Sequence, residues 1–173
     1  MISLSVLFYV LVALFVLIGA MRGFGKEIVV CASSILALFT IEVVIPRIFG
    51  DASGSKRFWI NSIVIVVCAL AGYQTPNLRR FAENVRFQRG PFRDMLAGGL
   101  MGGINGYILV SSLWFYMADA GYPFKAITAP DLATELGQSA AKILESAFPT
   151  YMHVPILYYM VVIAFFLLIG AFV

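Results

Sequence analysis

Five long stretches of this chain carry almost no charge, and that feature restricts the folds open to it more than any other. Residues 1–21, 28–41, 58–78 and 95–118 contain no Asp, Glu, Lys or Arg, and 146–173 adds only His153. A charge at the centre of a bilayer costs about 2.5–3.5 kcal/mol on insertion scales, so uncharged runs of this length are the primary mark of a membrane span. Each run approaches the roughly 20 residues that a helix needs to cross the hydrocarbon core. Composition agrees: 61% of residues are apolar and 12% charged, with a mean hydropathy of +0.94, against about a quarter charged in soluble domains. Such figures exclude a secreted disulfide scaffold, a disordered tail and a water-soluble enzyme with its own core. The expected fold is all-α: a polytopic integral membrane bundle forming a single transmembrane domain over 1–173. Its five helices are expected near 3–21, 27–47, 58–74, 94–117 and 154–173. Sheet is disfavoured, because the runs are too long and lack the alternation of a membrane barrel strand.

The first run reads as a span and not as a cleaved signal peptide, because Arg22 and Lys26 follow it instead of preceding it. Lys and Arg also set the expected orientation. The loops after the first and third helices hold Arg22, Lys26, Arg79, Arg80, Arg86, Arg89 and Arg93, seven of the twelve basic residues. On the other side lie Arg47, Lys56, Arg57, Lys125 and Lys142, the last two in a long loop with Asp119, Asp131, Glu135 and Glu145. The positive-inside rule then places the N-terminus outside and the C-terminus in the cytoplasm.

Two loop segments read as interfacial amphipathic helices. Near 77–89, Leu78, Phe81, Ala82 and Val85 fall on one helical face, opposite Arg79, Arg80, Glu83 and Arg86, and Gly90 and Pro91 end the pattern. An apolar stripe facing arginines suits an anionic cytoplasmic leaflet, so Arg79, Arg80, Arg86 and Arg89 are expected to bind lipid. Near 129–147, Thr128 and Asp131 offer a cap for a helix with Leu132, Leu136, Ile143 and Leu144 on its apolar side. The plainest role for both is to seal the surface of the bundle.

Residues that carry chemistry are few. The single His153 stands between Tyr151 and Tyr158 at the outer start of the fifth helix, the usual place of an interfacial anchor. Its one alternative is as an axial ligand to a haem or similar pigment; no other metal site and no cofactor is expected. Cys31 and Cys68 fall inside spans without CxxC spacing and read as small apolar packing residues. Gly23, Phe24 and Gly25 begin like a dinucleotide loop, but Ile28 stands where the third glycine belongs, and a membrane helix precedes them instead of a strand. Glu42 is the one carboxylate within an expected span. It lies near the outer boundary, within reach of headgroup water or Arg47.

The expected fourth helix is the most informative segment. Gly98, Gly102 and Gly106 repeat every fourth residue, with Gly99 and Gly103 beside them. Glycine lets helix backbones approach closely, which supplies packing energy where lipid offers no hydrophobic drive. The stripe marks either the packing centre of this chain or an interface with another subunit. Asn105 on the same helix must find a hydrogen-bond partner at membrane depth.

Two stretches together resemble the colicin V production protein family of bacterial inner-membrane proteins. Residues Met21, Arg22, Gly23, Phe24, Gly25, Lys26 and Glu27 are similar to the turn between that family's first two helices, and residues 94–106 to the opening of its fourth. Asp94, Gly98, Gly102 and Gly106 match position by position. The chain departs from the pattern at Met95 and Asn105, and it adds a long acidic loop and a fifth helix after residue 117 or so. The resemblance implies a fold, an inner-membrane location and a link to toxin production or export and envelope maintenance.

Arg22 and Glu27 in the first basic turn and Arg93 and Asp94 at the start of the fourth helix fall at one depth. Cross-pairs such as Arg22 with Asp94, or Arg93 with Glu27, would form a cytoplasmic charge clamp that fixes helix register. The expected function is that of a non-catalytic scaffold or accessory subunit of a larger membrane assembly. An oligomeric transporter or channel component, using Glu42 and Asn105 as intramembrane polar sites, is the alternative. Expected partners are membrane lipids, anionic on the cytoplasmic side, and other membrane subunits or further copies of the chain, with no nucleic acid.

Overall fold

A computed structural model describes residues 4–50, 54–74, 90–124 and 127–172. Among these residues the chain is all-helical, with no strand. Helix α1 (Leu4–Arg22) is joined through Gly23 alone to α2 (Phe24–Phe39). A π-helical turn at Thr40–Val44 and the short α3 (Ile45–Phe49) continue α2 into one 26-residue rod. Then come α4 (Gly54–Tyr73), α5 (Pro91–Asp119), α6 (Glu135–Glu145), a 3-10 turn at Phe148–Tyr151, and α7 (Val154–Phe172).

Four helices are long and apolar enough to cross a membrane: Leu4–Arg22, Phe24–Phe49, Gly54–Tyr73 and Pro91–Asp119. A fifth is added if the pair Glu135–Tyr151 and Val154–Ile169, bent by 72°, counts as one span. The outward faces are apolar throughout. On α7, Val162, Phe165 and Phe166 are each more than half exposed, and only Leu157 and Ala164 are buried among residues 154–169. A water-soluble monomer rarely exposes contiguous apolar surface on this scale, whereas lipid solvates it directly.

The π-helical turn has a local cause. Pro46 has no N–H to donate to the carbonyl of Glu42, four residues back. The turn just ahead of it widens, so that the Ile45 N–H donates to the Thr40 carbonyl five residues back. Thr40 adds a bond from its own hydroxyl to the Leu36 carbonyl at 2.8 Å.

Helix α5 is the hub, packing most extensively on α1 and also on α2, α4, α6 and the 3-10 turn. The main core lies between α2, α4, α5 and the start of α7, where Leu38, Ile41, Phe58, Ile65, Ile108, Leu109, Tyr116 and Leu157 are buried together. A second, smaller core joins Phe8 of α1 and Trp114 of α5 to Ala140 and Ile143 of α6.

The loop helix differs from the sequence expectation at its start and on its buried side. It begins at Glu135, not near 129, and its cap is Thr134, whose hydroxyl accepts from the Gly137 N–H at 3.1 Å. Asp131 instead closes a turn, its side chain accepting from Ala133 N–H at 3.0 Å. The small residues Gly137 and Ala140 turn inward with Ile143, while Leu132 and Leu136 are exposed. Gly137 is required by the turn that precedes it, since a Cβ there would overlap the Asp131 carbonyl, a local constraint that hydrophobicity does not encode. The basic segment expected near 77–89, with Arg79, Arg80, Arg86 and Arg89, lies outside the described residues.

Candidate functional site

The site forms where α1 ends, α2 begins and α5 passes both, and its geometry starts at Gly23. This residue has φ +84°, a left-handed conformation suited to glycine, and it reverses the chain in one step between two helices. A Cβ at this position would collide with the Asp94 carboxylate. The backbone therefore sits directly against Asp94, whose Oδ1 accepts from the Phe24 N–H at 3.2 Å. A carboxylate from α5 thus caps the N-terminus of α2, where the helix dipole favours negative charge.

Because the turn is a single residue, Glu27 stands in the first turn of α2 and not in an open loop. Its side chain is completely buried. Arg22 Nε lies 3.1 Å from Glu27 Oε1, and the arginine side chain remains 22% exposed. From α5, Asn105 Nδ2 donates to both Glu27 Oε2 and the Glu27 backbone carbonyl, each at 2.9 Å. Tyr73 of α4 closes the group: the Arg22 guanidinium lies 4.3 Å from the centre of its ring, a cation–π contact. Its hydroxyl is buried and has no hydrogen-bond partner among the described residues. One carboxylate is therefore held by side chains from α1 and α5, and α4 backs the arginine with its tyrosine ring.

The glycine stripe makes this proximity possible. A Cβ on Gly98 would overlap the Gly19 carbonyl oxygen, and one on Gly102 would fall 2.8 Å from the Gly19 Cα. One on Gly106 would fall 2.6 Å from the Phe15 Cβ. Gly99 and Gly103 flank the seam and look onto Val16 and Ala20 at ordinary or slightly tight distances. The partner of the stripe is thus α1 of the same chain, matched by its own Gly19.

The expected clamp is corrected in its pairing. Arg22 joins Glu27, not Asp94, because Asp94 is occupied by the N–H at the start of α2. Arg93 is exposed, and no ion pair links it to Glu27 among the described residues. It points away from the seam because the neighbouring Asp94 takes the inward position on the helix. Asn105, expected only to need some partner, bonds Glu27 itself. Sequence reading missed Tyr73, since a tyrosine ending a span reads as an ordinary boundary residue.

At the other end of α5 stands a second polar group. Glu42, within the π-helical turn, accepts from the Tyr116 hydroxyl at 3.1 Å instead of pairing with Arg47, which is exposed. The widened turn and the large buried Tyr116 bring the two together. Close by, Arg57 and Asp119 form an ion pair at 3.7 Å, each side chain 47% exposed.

His153 is exposed, and among the described residues no group of three or more His, Cys, Asp or Glu is arranged to hold a metal ion. Cys31 and Cys68 are free, half-buried thiols packed against the main core. Comparison with protein-family models, curated proteins and solved structures finds no match to this chain.

Proposed function

We propose that the chain is a non-catalytic scaffold or accessory subunit of a bacterial inner-membrane assembly, and a remote relative of the colicin V production protein family. One observation carries the reading. In the two motifs that suggest the family, Gly23 and Phe24 of the first meet Asp94 and Gly98 of the second, Arg22 pairs with Glu27 within the first, and Gly98 and Gly102 pack on Gly19 of α1. These contacts are helix ties: a cap, an ion pair and a backbone seam. Such an arrangement fixes the register of α1, α2 and α5 and makes a rigid platform.

Since the glycine stripe is covered by α1, the partner surface is assigned elsewhere, to the bent α6–α7 unit that the family's usual four spans lack. Helix α7 contributes a face of Val162, Phe165 and Phe166, and Leu132 and Leu136 lie exposed near α6. The N-terminus is assigned to the outside and the C-terminus to the cytoplasm, in keeping with the positive-inside rule.

Photo-crosslinking residues placed at Phe166 of α7 and at Val10 of α1 test this in membranes before detergent is added. A defined partner chain, or a second copy, should be captured from Phe166 and not from Val10. Capture of lipid alone at both positions, with a solitary monomer in mild detergent, overturns the proposal.

A further inference from the structure

Asn105 is fully buried, and its amide is only half used. Its Nδ2 donates twice to Glu27, but its Oδ1 has no hydrogen-bond partner among the described residues. A buried acceptor left idle costs on the order of 1–3 kcal/mol. Glu27 is the only fully buried carboxylate among the described residues; Glu42 and Asp94 are half-buried, and Asp119, Asp131, Glu135 and Glu145 are exposed. Asparagine is the side chain that can serve such a group in either charge state, offering N–H to a carboxylate and an oxygen to a carboxylic acid.

We infer that the Glu27–Asn105 pair is a proton-binding site, at which Glu27 takes up a proton from the aqueous boundary beside Arg22 and donates it as a hydrogen bond to Asn105 Oδ1. The balance is simple. A proton from water adds to the Glu27 carboxylate, no bond in the protein breaks, and the charge of the site rises by one. Rotation of the Asn105 side chain then exchanges the Nδ2 bond to Oε2 for one accepted by its idle oxygen, and Arg22 is released from its ion pair. The arginine side chain is already 22% exposed and keeps its contact with the Tyr73 ring.

The groups facing Glu27 support this exchange. Arg22 comes from α1, Tyr73 from α4, and Asn105 and the nearby Asp94 from α5, while Cys31 and the exposed Lys26 share α2. Helix α7 carries Tyr158 and Tyr159 as its titratable side chains, and Tyr158 stacks on Phe39 at the opposite end of α2. The inference stands independently of the scaffold reading, because it concerns what the clamp binds and not what the bundle assembles with.

Infrared difference spectroscopy of the full chain in lipid, titrated from about pH 8 to about pH 4, tests it. A slowly exchanging carboxylic C=O band should grow on acidification, vanish in Glu27→Gln and shift upward in Asn105→Ala, which removes the acceptor. If Glu27→Gln does not fold, Glu42→Gln makes the assignment: the band must survive that change unaltered. Absence of such a band, its loss in Glu42→Gln, or its indifference to Asn105→Ala overturns the inference.

Discussion

Two levels of α5, one at Asn105 and one at Tyr116, solve the same problem, a carboxylate held inside a helical bundle, in different ways. At the first, in the middle of the helix, Asn105 of α5 and Arg22 of α1 grip Glu27, which is wholly buried. At the other, Glu42 is half-buried and takes a single bond from Tyr116, with the exposed Arg57–Asp119 pair nearby. The packing of α1 on α5 also changes between the two levels. Around Gly19, Gly98 and Gly102 the backbones touch, so water is squeezed out and the charge needs several partners. Further along, Phe8 meets Tyr107 and Trp114 with ring centres 6.1 Å apart, and α6 fills the widened wedge with Ala140 and Ile143. Dryness sets how many partners a carboxylate requires.

Removing Arg22 should do the most damage, because it leaves Glu27 buried and uncompensated. Arg22→Ala is expected to cost about 3–5 kcal/mol, seen as a large drop in melting temperature in detergent. A change below about 1 kcal/mol, the scale of an exposed pair, would erase the distinction between the two levels. Next comes Gly102→Leu, which must separate α1 from α5 and is expected to cost about 1–3 kcal/mol or more. Since α1 belongs to the same chain, the isolated protein itself should melt lower; normal melting would show that the seam yields without strain.

The other level should respond less. Tyr116→Phe removes the one donor to Glu42 while keeping the ring in the core, and a loss of roughly 1 kcal/mol is expected. A loss as large as that of Arg22→Ala would mean that Glu42 is as dry as Glu27. Breaking the exposed pair with Arg57→Ala should cost less than about 1 kcal/mol and should cost less still in high salt. Smallest of all, Leu100→Ala should stay within about 0.5 kcal/mol, since Leu100 is 71% exposed on the side of α5 away from the seam.

Much of the bundle was legible in advance because transfer free energy is local and additive: uncharged runs near the length of a bilayer crossing mark helices wherever they occur. The glycine repeat likewise announced a close contact, since no other pattern brings backbones so near. Element ends were less legible. The first basic turn read as a loop between helices ending near 21 and starting near 27, yet Gly23 alone forms it, because a single left-handed residue suffices when Asp94 satisfies the exposed N–H. The cap at Thr134 was hidden behind a similar spacing at Thr128 and Asp131, because both stretches offer a short polar side chain ahead of a helix.

By itself the sequence determined that this protein is helical and apolar enough for a membrane, that α5 packs closely along its glycines, and that Arg22, Glu27, Asp94 and Asn105 are the polar residues in need of partners. Only the tertiary structure decided the partners: α1 for the stripe, Arg22 and Asn105 for Glu27, the start of α2 for Asp94, and Tyr116 for Glu42. The physical reason is one of range. Hydrophobic transfer is summed residue by residue along the chain, whereas a hydrogen bond or ion pair depends on a few ångströms between residues up to 78 positions apart, and that separation is fixed only when the helices have packed.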